Sequence, residues 1–182
     1  MSAHQAPQAW PSARRFEPRR RHRRGGFVVS DGGTIRLAIV VSRFNRAVTD
    51  NLLEGAMQAA AKYGVVVDDD DVFPVPGAFE LPLVALAAAR CPQYHAVVCL
   101  GAVIRGETPH FDYVCEQAAS GIRDASLSTG KPIAFGVLTT DDLPQALARA
   151  GGAVGNKGYE AVVTAVETLE VLSRLQGPGT RA

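Results

Sequence analysis

Four short stretches of this chain hold side chains suited to chemistry. In RGETPH (105–110), Thr108 is a good helix cap and Pro109 a favoured first helical residue, so a helix is expected to open there. His110 then falls in the first turn, among backbone N–H groups that lack intrahelical partners and attract an anion such as phosphate. A histidine in that position is placed to accept a proton from a bound substrate and return it. In SRFN (42–45), Phe44 follows an apolar run, where an aromatic ring can stack on a planar heterocycle. In VPGAFE (75–80), Gly77 permits close backbone approach and Glu80 can accept hydrogen bonds from hydroxyl or amino groups. Arg149 and Lys157 bracket AGGAVGNKG, and either can pair with a phosphate. Each has an ordinary structural reading as well: Phe44 as a lid on the core, Glu80 as a helix-start carboxylate, His110 as the decoration of a helix start, the two cations as solvated surface charge.

These residues need elements to position them, and apolar and helical patterns alternate to supply those elements. IRLAIVV (35–41), VVVDDDDVFPV (65–75, broken by its acidic turn), HAVVCLGAVI (95–104) and PIAFGVLTT (132–140) read as strands. Residues 45–64, 79–90, 110–130, 141–151 and 155–176 read as helices, the first stopped by Gly64. Strands apolar on both faces argue for a parallel sheet covered on each side. The expected fold is α/β, a three-layer αβα sandwich around a four-stranded parallel, flavodoxin-like sheet. Ligands bind such sheets outside the carboxyl ends of the strands, so SRFN, VPGAFE, RGETPH and TTDD should share one edge.

Other chemistries lack their residues. No GxGxxG follows the first strand, and neither a GxxxxGK[ST] loop nor a GxSxG elbow occurs. None of the four histidines has a ligand-like spacing to cysteine or carboxylate, so no metal is expected. No apolar run reaches the ~18 residues of a membrane span. Three cysteines without a CxxC pair suggest reduced thiols and a cytoplasmic setting, with Cys99 a small buried hydrophobe.

The net charge of +1 conceals an asymmetry. Residues 1–26 carry seven arginines against Glu17, which leaves the remainder mildly acidic. This proline-containing segment reads as a disordered arginine-rich extension, and residues 27–182 as a single domain. The extension is open to several readings: an arm for nucleic acid or membrane phosphate, an organelle transit peptide, or a misassigned start. Nucleic acid is a partner only if this segment binds it.

SRFN, VPGAFELP, GAVIRGETPHFDYV, FGVLTT and QALARAG...GNKGYEA occur in this order, and with them the chain closely resembles the lumazine synthase family over roughly residues 34–173. The resemblance implies condensation of 5-amino-6-(D-ribitylamino)uracil with 3,4-dihydroxy-2-butanone 4-phosphate to give 6,7-dimethyl-8-ribityllumazine, phosphate and water, without a cofactor. It implies that Phe44 stacks on the pyrimidine, that Ala78, Phe79 and Glu80 line the site, and that Glu80 contacts the ribityl chain. Ala102, Val103 and Ile104 would offer backbone groups to the pyrimidine edge, and Gly106, Glu107 and Thr108 would cradle the phosphate. Arg149 and Phe135 would come from a neighbouring subunit, with Lys157 near the phosphate and His110 transferring protons. The family also implies a homopentamer with sites between subunits. RAGGAVGNKG lacks the insertion of strictly pentameric forms, which leaves a sixty-chain icosahedral shell, with or without an enclosed riboflavin synthase, open to this chain.

Overall fold

The computed structural model describes residues 34–176. Its four parallel strands are β1 (Leu37–Ser42), β2 (Val72–Val75), β3 (Ala96–Ile104) and β4 (Ile133–Thr140), in the order β2-β1-β3-β4. Five helices accompany them: α1 (Arg46–Tyr63), α2 (Leu81–Arg90), α3 (His110–Thr129), α4 (Leu143–Arg149) and α5 (Lys157–Gln176). All six residues of β1 are buried because each face meets a helical layer. Side chains alternate along a strand, so Leu37, Ile39 and Val41 join Val98 and Leu100 in one core with α1 and α5. Ala38 and Val40 join Val97 and Cys99 in a second core with α2 and α3. This is the αβα sandwich expected from the alternation of patterns.

Two local readings need correction, and one gains detail. Residues 65–75 are broken at the acidic turn as expected: Val66 makes an isolated bridge to Arg36, and Asp69–Asp71 turn as a 3₁₀ helix before β2. The cause is Asp71, which is buried and accepts from the Asp68 N–H at 2.8 Å and from the Tyr94 hydroxyl at 3.0 Å, folding the acidic run inward. Residues 78–80 likewise form a separate 3₁₀ turn ahead of α2. Beyond α4 the glycine-rich segment makes an antiparallel hairpin, β5 (Ala150–Gly152) with β6 (Gly155–Asn156). It needs glycine, since Gly151 and Gly155 adopt φ of 104° and 88°. The arginine-rich extension lies outside the described residues.

Candidate active site

Because the sheet is parallel, β1, β2 and β3 end at Ser42, Val75 and Ile104 on one edge, and the loops that follow them converge there. They enclose a cleft of about 630 Å³. Phe44, Ala78, Phe79, Glu80, Ala102, Val103, Ile104, Gly106, Thr108 and His110 all line it, with Phe111 and Val114 of α3. The sequence-predicted residues from three separate loops thus come together. Glu107 is exposed and does not line the cleft, and neither do Asp141 and Asp142 of TTDD.

Phe44 is 68% exposed and Phe79 is 58% exposed, so two aromatic rings stand open to solvent at the cleft. Apolar surface left in water is unfavourable, and a planar ligand stacked on such a ring would cover it. Glu80 turns one carboxylate oxygen back to accept from the Gly77 N–H at 2.8 Å, which fixes the side chain at the cleft.

The start of α3 differs from expectation in one respect. Pro109 has helical dihedrals (φ −62°, ψ −4°), and its carbonyl accepts from the Asp112 N–H at 3.0 Å, but no side chain caps the helix. The Thr108 hydroxyl therefore does not serve as a cap. It lines the cleft instead, beside a helix start whose first N–H groups are not taken by a capping side chain.

Arg105, unassigned from the sequence, ties this region together. Its N–H donates to the Thr140 carbonyl at 2.9 Å. Its guanidinium carbon lies 4.1 Å from the centre of the Phe111 ring and its nitrogens pair with Asp112 and Asp141, both at 3.2 Å. Burial opposes the charge of Arg105, but the hydrogen bond to Asp141 and the field of Asp112 outweigh it and raise its pKa. The loop after β4 thus braces the start of α3 without reaching the cleft. An arginine beside a strand end with an acid seven residues on was the available signal.

Phe135, Arg149 and Lys157 do not join the first group. They line a second cleft of about 340 Å³ along the edge strand β4 and α5, with Glu160 and Thr164. Arg149 donates to the Gln145 carbonyl at 3.0 Å, and Lys157 pairs with Glu160 at 2.6 Å. Within one chain, the cations suited to phosphate and the His110 cleft are on different surfaces. Among the described residues no three His, Cys, Asp or Glu side chains are grouped to hold a metal ion, and no helix is long and apolar enough to cross a membrane.

In a comparison against protein families, the family model described as 6,7-dimethyl-8-ribityllumazine synthase matches residues 34–173.

Proposed function

The chain belongs to the 6,7-dimethyl-8-ribityllumazine synthase family, whose activity lies in riboflavin biosynthesis, and from that premise we propose that it condenses 5-amino-6-(D-ribitylamino)uracil with 3,4-dihydroxy-2-butanone 4-phosphate. The observation that carries this reading is the convergence of Phe44, Glu80, Thr108 and His110 on one cleft of about 630 Å³. Phe44 stacks on the pyrimidine, and the backbone of β3 from Ala102 to Ile104 meets the pyrimidine edge. Glu80 accepts from the ribityl hydroxyls with the lone pairs that Gly77 leaves free. Gly106 and Thr108 bring backbone N–H groups to the phosphate of the second substrate, with the exposed Glu107 as the link between them.

The chemistry follows from these positions. The 5-amino nitrogen attacks the ketone carbon, water leaves, and an imine forms. His110 takes a proton from the adjacent carbon, whose electron pair expels the phosphate. The resulting enol becomes a ketone, and the ribitylamino nitrogen closes the ring on it with loss of water. No electron leaves or enters, so the protein's part is to hold two reactants together and move protons.

The second cleft supports a shared site. Phe135 and Arg149 of a neighbouring copy complete the first cleft, with Lys157 near the phosphate, in a homopentamer. Mixed assemblies test this. With equal shares, and with the phosphorylated substrate well below its KM, a His110→Ala chain co-assembled with an Arg149→Ala chain has intact sites in about one quarter of cases if the two residues come from different copies, and in none if they come from one. Purified protein given both substrates should develop lumazine absorbance and fluorescence, and its failure to do so would overturn the assignment. Sedimentation separates a pentamer of 19.2 kDa chains, about 96 kDa, from a sixty-chain shell of about 1.15 MDa.

A further inference from the structure

Asn45 is the one non-glycine residue with a positive φ among the described residues, at φ 59° and ψ 47°. Asparagine tolerates this left-handed conformation better than most side chains, and the conformation turns the backbone sharply between β1 and α1. Its carbonyl accepts from the Val48 and Thr49 N–H groups at 2.8 and 3.1 Å and so starts the helix. Its side chain does something different: Nδ2 donates to the Ala102 carbonyl at 2.9 Å. The β1–β3 pairing ends at Val41 and Leu100, while β3 runs on to Ile104. The Asn45 amide supplies the donor that a longer β1 would have offered to Ala102.

The residues joined in this way both belong to the cleft. Ala102 lines it directly, and Phe44, next to Asn45, lines it with an exposed ring. A ring so exposed gains little position from packing, so its place is set by its backbone. That backbone is held on one side by the Phe44 N–H donating to Ser42 Oγ at 3.2 Å and on the other by Asn45.

We propose that Asn45 is a positioning residue: its side-chain amide, by bonding to the Ala102 carbonyl, fixes the distance between the Phe44 ring and the end of β3, and with it the slot for the planar substrate. The inference rests on the proposed function above. It separates a role for the side chain from the need for a left-handed backbone, which glycine meets at no steric cost.

Two variants test it by steady-state kinetics against each substrate. Asn45→Gly keeps the backbone accessible and removes the donor, and Asn45→Asp keeps the shape but turns an acceptor toward the carbonyl. The expected result is a KM for the aminouracil raised about tenfold in Asn45→Gly, the worth of one hydrogen bond, and at least as much in Asn45→Asp. The KM for the phosphorylated substrate should stay within about twofold in both. Asn45→Gly with wild-type KM values for both substrates would overturn the inference, as would an equal rise in both. A wild-type protein inactive on the two substrates would instead remove the functional reading. If Asn45→Asp fails to fold, Asn45→Gly alone decides.

Discussion

Gly158, in the first turn of α5, lies directly against the Leu52 carbonyl of α1, with no room for a methyl group between them. The obstacle is backbone on both sides, so neither helix can yield by changing a rotamer. Gly158→Ala must therefore push α5 away from α1 or distort it, although alanine is the better helix former. Destabilisation of about 3 kcal/mol is expected, at the upper end of what overpacking usually brings. Thermal unfolding should show a Tm lower by roughly 6 to 12 °C, and an unchanged Tm would refute the close packing.

At the opposite end of the sheet from the cleft, Asp71 is 1% exposed and accepts from the Arg36 guanidinium at 2.8 to 3.2 Å. Asp71→Ala would leave Arg36 with only its more exposed partner Asp68 and strip the Tyr94 hydroxyl of its acceptor. Removing one side of a buried pair is expected to cost about 3 kcal/mol, visible in the denaturation midpoint. Activity measured well below the new Tm should be unaffected, because none of these groups lines the cleft. A selective loss of activity with normal stability would contradict this division of the molecule.

The strands and the shared loop edge were legible in the sequence for a simple reason. β1 and β3 are buried on both faces, so nearly every residue must be apolar, and a parallel sheet fixes where the following loops lie. Phe44, Glu80 and His110 could be placed at one edge from that rule alone. What depends on distant partners was not legible. The acidic turn within residues 65–75 could be read, but not that Arg36 and Tyr94, 35 and 23 residues away, draw Asp71 inward. The role of Arg105 depends on Asp141, across two strand ends. Nor could periodicity reveal that Phe135 and Arg149 open onto a different surface from His110, since that depends on how β4 and α5 pack at the sheet edge.

The three cysteines should differ in reactivity in the folded protein. Burial pushes the Cys99 thiol far above the ordinary value of 9.0, and burial followed by the field of Asp112 raises Cys115 despite Arg105. Cys91 is exposed. A thiol reagent at pH 8 is expected to modify Cys91 first, Cys115 more slowly and Cys99 only after unfolding. The sign for stability follows from linkage: the unfolded chain ionises Cys99 from about pH 9 while the folded chain does not, so stability falls as pH rises above that value. Rapid labelling of Cys99 under native conditions would show that the strand opens readily.

Arg149 ends α4, its guanidinium donates to the Gln145 carbonyl one turn back, and it lines the second cleft. Arg149→Ala should thus leave the fold largely intact while weakening capture of the phosphorylated substrate. The expected change is a rise of about tenfold or more in the KM for that substrate, in the range of a charge-assisted hydrogen bond, with a smaller change for the aminouracil. Equal rises for both substrates would argue against a phosphate contact.

His110→Ala is the sharpest measurement of the proposed chemistry, because the residue can be removed at little structural expense. His110 is exposed and stands at the first position of α3, its side chain makes no hydrogen bond among the described residues, and alanine is the best helix former. A change in rate can therefore be assigned to the lost imidazole and not to a collapsed cleft. General acid–base catalysis typically contributes a factor of ~10² to 10⁴, whereas holding two reactants in register can contribute ~7 to 11 kcal/mol without any proton transfer. The variant should accordingly lose about 10² in kcat or more and remain faster than the uncatalysed condensation, with both KM values close to wild type. Wild-type kcat would remove His110 from the mechanism. Loss of all acceleration would place the proton transfer, and not the pairing of substrates, as the main source of rate.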